Sequence, residues 1–187
     1  MSTLTVSNLQ GTSSSNNLIN MPSGHSIYSP GGIIQVVQSF MDSTFSTTTT
    51  ASSGGTVVPA LAVTITPKKS SSKILVMAIL NCDGTVNVTQ VYSWLARGST
   101  KIGVGAAAGS RVTIGGRFYY ADNNVSGMIP MTYLDTPSTI SPITYNVYIG
   151  TETATGSVVL NRTIADTDNT TNGTRSSSTL TVMEIAQ

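Results

Sequence analysis

Residues 65–80 read ITPKKSSSKILVMAIL. Pro67 closes one apolar run, KKSSS turns, and a second apolar run goes from Ile74 to Leu80 without a polar residue. By the two-residue period of a strand, Ile74, Val76, Ala78 and Leu80 share one face and Leu75, Met77 and Ile79 the other. A strand half-buried in a free-standing sandwich alternates apolar with polar, so a strand apolar on both sides implies a cover over its outer face. Either the chain's own loops supply it or another subunit does. In a helix-free chain the second is the expectation, with Leu75, Met77 and Ile79 at the subunit interface. The lysines and serines of the turn are expected to stay in water.

The rest of the chain has the same texture. Short runs rich in Val, Ile, Leu, Tyr and Thr alternate with Gly, Ser, Asn and Pro, and no segment keeps a helical period. Strands are expected over 32–41, 57–66, 73–82, 85–97, 100–104, 111–114, 117–121, 128–134, 144–150, 157–163 and 178–185, with 47–55 a polar loop. About ten strands with short links predict an all-β fold of two packed antiparallel sheets. The final run, TLTVMEIAQ, repeats the two-faced pattern, with Leu180 and Val182 on one side and Met183 and Ile185 on the other. Met183 and Ile185 therefore join the expected interface, where terminal strands can hold a symmetric oligomer together. Residues 1–31 differ: isolated apolar residues sit among turn formers, and Pro30-Gly31-Gly32 marks a boundary. The expected division is an attachment or stalk segment, 1–31, and a sandwich domain, 32–187.

Composition narrows the function. Only 9% of the 187 residues are charged and the formal net charge is +1, against about 25% charged in an average soluble domain. Neither nucleic acid nor an acidic membrane is an expected partner. No run approaches the roughly 20 apolar residues that span a bilayer, and MSTLTVSNLQ lacks the basic start and apolar block of a signal peptide, so neither membrane insertion nor ordinary export is expected. The single Cys82 cannot form an internal disulfide and reads as a small buried residue. Sequons at Asn87, Asn161, Asn169 and Asn172 read as incidental in a chain rich in Asn and Thr.

Catalytic signals are thin. His25 is the one histidine, and no Gly-x-Ser-x-Gly elbow accompanies it. The close acidic pair is Asp166 and Asp168 in ADTDNTTNGT; with Asn169 and Asn172 it offers oxygens to Ca²⁺, but the spacing departs from a calcium loop and a solvated loop is expected. No phosphate loop or zinc pattern occurs. Glycan contact has better candidates: Tyr119, Tyr120, Asn123 and Asn124 in RFYYADNN combine aromatic faces with amides where a strand enters a loop. Tyr145 and Tyr148 carry the same chemistry within a strand, where Tyr145 reads more naturally as core.

ITPKKSSSKILVMAIL, the hairpin LARGSTKIGVG, the ending SSSTLTVMEIAQ and the opening TVSNLQGTSSSNNLINMPSGHSI together resemble a group of bacteriophage virion proteins, many from marine phages, described as tail-fibre or virion structural proteins. The resemblance covers nearly the whole chain and has no catalytic motif. It implies a jelly-roll domain assembled as a homotrimer about an axis running through one sheet, residues 1–31 bound to other virion proteins, and location in the tail or another external appendage of the virion, in contact with host surface glycan. Fibres of this class carry axial metal sites built from a His-x-His pair, but here Ile27 stands where the second imidazole would be, so no metal is expected and His25, the one candidate ligand at a trimer axis, reads as a turn histidine. The expected protein is non-enzymatic and needs no cofactor. The alternatives are a head or neck decoration that touches no receptor, and a glycan-degrading enzyme like a tailspike.

Overall fold

A computed structural model describes residues 29–85, 90–119 and 124–187. Among them are strands β1 (Ile33–Met41), β2 (Phe45–Thr47), β3 (Thr56–Ile65), β4 (Lys73–Gly84), β5 (Val91–Arg97), β6 (Thr100–Ile102), β7 (Gly116–Phe118), β8 (Gly127–Asp135), β9 (Ile143–Thr151), β10 (Val158–Leu160) and β11 (Ser178–Ile185). All the pairings between them are antiparallel. The all-β expectation holds.

β4, the strand of the opening motif, is the spine of one sheet. One edge pairs with β8 from Ile74 to Cys82; the other pairs first with β11 and then, from Cys82 to Gly84, with β10. β1 and β2 lie end to end along the far edges of β11 and β10. The sheet thus has four rows: β1 with β2, β11 with β10, β4, and β8. The second sheet has rows β3, β9, β5, and β6 with β7. Numbering the rows along the chain, the two sheets read 1-8-3-6 and 2-7-4-5, which is the wrapped double Greek key of a jelly roll.

The inward faces meet in one core. Ile74, Val76, Ala78, Leu80 and Cys82 of β4, Leu180 and Val182 of β11, and Ile129 and Met131 of β8 face Leu61, Val63 and Ile65 of β3 and Val147 and Ile149 of β9. Burial, and after it the neighbouring Asp83 charge, pushes the Cys82 thiol upward, so it stays protonated and unreactive. Three acidic side chains are buried among these apolar groups, and each has partners. Asp135 takes the Tyr145 hydroxyl at 2.7 Å and the Arg97 guanidinium at 3.1 Å, joining β8 to β9 and β5 across the sandwich. Asp83 accepts the backbone N–H of Gly84 and of Ile164. Glu184 accepts Gln35 Nε2 at 2.6 Å and the Lys68 N–H at 2.7 Å.

That last contact corrects the expected turn. KKSSS is not wholly in water: Ser72 is buried, and the backbone of the turn closes over Glu184. The strand pattern needs four further corrections. Residues 111–114 are not a strand: Thr113 O takes the Lys101 ammonium, and pairing with β5 begins only with Gly115 N–H on Ser93 O. Of the strand expected over 117–121, the described part runs Gly116–Phe118 and has ended by Tyr119, while 120 and 121 lie outside the described residues. The strand expected over 157–163 stops at Leu160, where Asn161 takes a positive φ of 62°. In the other direction, Phe45–Thr47 is a strand ahead of the expected loop, paired with β10 and followed by a short helical turn at Ala51–Ser53 capped by Thr50.

Two of the four sheet edges, β8 and β3, are blunted by proline. Pro130 sits mid-strand in β8, and Pro59 lies in the stretch of β3 where pairing with β9 lapses between Val57 and Ala62. A proline offers no N–H to an incoming strand, so neither edge invites extension.

Candidate functional site: the outer face of the four-row sheet

The register places the two-faced residues side by side. Across the rows β1, β11, β4 and β8, one line reads Val36, Met183, Leu75, Leu134; the next Gln38, Thr181, Met77, Thr132; the next Phe40, Thr179, Ile79, Pro130. Met128 extends the patch beyond Pro130, and Ile33 and Ile185 extend it at the other end, beside Lys73. Lys73 is the one charged residue among these positions. Phe40 is 60% exposed, Met128 65%, Ile79 45% and Met77 37%. Leu75, Met183 and Ile185 are half-buried by their own neighbours within the sheet. A hollow of about 250 Å³ runs along the middle, walled by Met77, Ile79, Pro130, Thr179 and Thr181.

Each of Leu75, Met77, Ile79, Met183 and Ile185 therefore lies on this outward surface, as the sequence pattern predicts. The pattern missed Val36, Phe40, Met128, Pro130 and Leu134, which complete it. A signal was present for β1: in IIQVVQSFM, Val36 and Phe40 fall on one side while Val37 and Met41 fall on the other. Four rows about 4.8 Å apart and about 25 Å long cover roughly 500 Å². Gln38, Thr132, Thr179 and Thr181 interrupt its apolar side chains, and the whole face is of the size of the largest apolar patch on an ordinary monomer, a patch that is often functional.

The glycan candidates are not gathered in this way. Tyr119 is exposed and Asn124 half-buried, while Tyr120, Asn123 and His25 lie outside the described residues. Tyr145 belongs to the core through its bond to Asp135, and burial together with that bond and charge pushes its hydroxyl upward. Tyr148 is on the outer side of the second sheet, its ring stacked on Trp94 at 5.6 Å. In the 161–177 excursion, Asp166 is turned toward Arg175 and Arg162, and Asn169 Oδ1 accepts the N–H groups of Thr171 and Asn172. Those oxygens are already committed, and the stretch forms a self-bonded loop. The sequon residue Asn161 is fully buried.

No protein-family model matches the sequence, and no curated protein matches it. Among solved structures, the chain is similar to a chain of the T13 particle of infectious bursal disease virus, at 16% identity and a TM-score of 0.42, over 90% of this chain and 39% of that one. The corresponding values for the Gt strain of the same virus are 14%, 0.43, 91% and 42%. For its T=1 particles they are 12%, 0.42, 91% and 40%. The chain thus spans about two-fifths of the length of the viral chains it matches.

Proposed function

We propose that this protein is a non-enzymatic structural component of a virion, built as a homotrimer through the outer face of the β1–β11–β4–β8 sheet. The observation that carries the reading is that face: three aligned lines of side chains, with Leu75, Met77 and Ile79 at their centre and Lys73 alone charged at one end. The sequence resemblance to phage fibre and virion proteins supports the class. In this reading residues 1–31 hold other virion proteins, the assembly stands in the tail or another appendage, and the loops reach the host surface.

Geometry favours a ring over a two-fold pair. A face of roughly 500 Å² falls short of the roughly 800 Å² per partner of a standard stable interface. A closed ring lets each chain give its face to one neighbour and a flank to the other, so that two surfaces are buried per chain. Proline at the β8 and β3 edges disfavours assembly by strand addition there. Buried carboxylates do not favour a hydrolase: Asp83, Asp135 and Glu184 are all engaged in holding the sandwich together.

Light scattering on the purified chain tests the assembly. The wild type is expected to run as three 19.4 kDa chains at micromolar concentration. The double variant Met77→Glu, Ile79→Lys is expected to run as one, with its strand spectrum retained because both side chains point outward. A wild-type monomer, or a double variant that still contains three chains, sinks the reading. Negative-stain imaging of particles with a labelled copy tests the location, and release of new reducing ends from host polysaccharide would point to the enzyme instead.

A further inference from the structure

The opposite side of the sandwich holds a second, chemically different feature. On the outside of the β3–β9–β5 sheet, the Ala51–Ser53 turn and the loop 103–115 leave a cleft of about 290 Å³ between them. Ser52, Lys101, Ser110, Arg111 and Thr113 line it. Lys101 arrives from β6, and its Nζ lies 4.0 Å over the Trp94 ring and donates to Thr113 O at 3.0 Å. Arg111 is folded back by a turn at Gly109, whose φ of 61° suits glycine, and donates to Ala108 O. Each side chain is therefore fixed by one contact and keeps donors to spare: an ammonium has three and a guanidinium five.

Neither cation is matched by an acid. The ion pairs of the described residues join Arg97 to Asp135, and Arg162 and Arg175 to Asp166; Lys101 and Arg111 take part in none. Partial burial pulls the Lys101 ammonium below the ordinary lysine range, a strain that an anion in the cleft would relieve. In a chain with so few charges, two unpaired cations facing one hydroxyl-lined cleft call for a negative group of matching size.

We infer that this cleft is an oxyanion-binding site that takes one carboxylate or sulfate group, with Lys101 and Arg111 as its ligands and Ser110 as a hydroxyl partner. The group is supplied either as a free ion or on a small polar molecule such as an acidic sugar. Arg111 supplies the directional, two-toothed contact and Lys101 the point charge. The inference does not depend on how the chain assembles or where it resides.

Trp94 is the chain's single tryptophan and lies directly beneath Lys101, so its fluorescence reports on the site. The full-length protein is titrated at fixed ionic strength with sodium galacturonate, with sodium sulfate and with neutral galactose. A saturable change with galacturonate or sulfate, and none with galactose, is the expected result; the tighter of the two distinguishes a carboxylated sugar from a free inorganic anion. Arg111→Gln, on an exposed loop, is expected to weaken that binding about tenfold with an unchanged thermal midpoint. Lys101→Gln is expected to abolish it. Silence with both anions, an equal response to galactose, or wild-type affinity in Arg111→Gln overturns the assignment.

Discussion

Replacing Asn161 with alanine is expected to lower stability by about 4 kcal/mol or more, seen as a fall of roughly 8–16 °C in the thermal midpoint. Asn161 is fully buried where β10 ends. Its Nδ2 donates to Met41 O and Ser43 O, and its Oδ1 accepts the Ser178 hydroxyl. One side chain thus ties the end of β1, the β1–β2 link and the start of β11. Alanine removes all three bonds, leaving the buried Met41 carbonyl without this donor and the Ser178 hydroxyl with only the Asn81 N–H that it accepts; each lost buried bond is worth about 1–3 kcal/mol. Alanine also lacks the short polar side chain that lets asparagine tolerate a φ of 62°, a conformation that costs an ordinary L-residue about 1–2 kcal/mol. Asn161→Gly separates the two contributions, since glycine accepts the backbone and removes only the hydrogen bonds. If the alanine variant melts within 2 °C of the wild type, this account of the junction is wrong.

Acid is expected to loosen the opposite end of the same sheet through Glu184. Burial alone would push its carboxyl upward, but hydrogen bonds from the Gln35 amide and the N–H groups of Lys68 and Lys69 help to outweigh it and hold the group below the ordinary glutamate value. The folded state therefore prefers the ionised form more than the unfolded chain does. The stabilisation is complete above the ordinary glutamate pKa of about 4.3, and it fades as pH falls through the lower folded value. Glu184→Gln removes one strong acceptor from a buried cluster and is expected to lose about 3 kcal/mol at pH 7. Urea unfolding from pH 7 to pH 3 should show the variant and the wild type converging at the acid end. Parallel curves across that range would mean that Glu184 is not the group responsible.

The fold class was legible because strand patterning survives in a chain without helices: β4, β9 and β11 follow the period of two residue by residue. The outward placement of Leu75, Met77, Ile79, Met183 and Ile185 was legible too, since a strand greasy on both sides is visible without knowing its neighbours. What escaped was set by contacts between distant segments. Residues 111–114, RVTI, have strand-forming side chains, yet Arg111, Val112 and Thr113 line the cleft beside Lys101 and join no ladder. Asn161 ends β10 because three partners from two other strands reward a left-handed residue, and no local sequence pattern carries that information. KKSSS reads as a solvated turn until the inward aim of Glu184, more than a hundred residues later, becomes known. The cleft of Lys101 and Arg111 depends on a loop folding back across its own sheet, so spacing along the chain could not reveal it.

The end-to-end placement of β10 and β11 along one edge of β4 has a practical consequence. The excursion of residues 161–177 leaves that line and rejoins it at nearly the same place. Its neck is closed by Asn161 N–H on Asn81 O, Ser176 N–H on Asn161 O, and the contact of Arg175 with Asp166. Everything beyond the neck hangs outside the pairing scheme. A foreign epitope spliced in near Thr170 would lengthen the hairpin's tip without moving a rung of either ladder, which makes this bend a natural mount for multivalent peptide display.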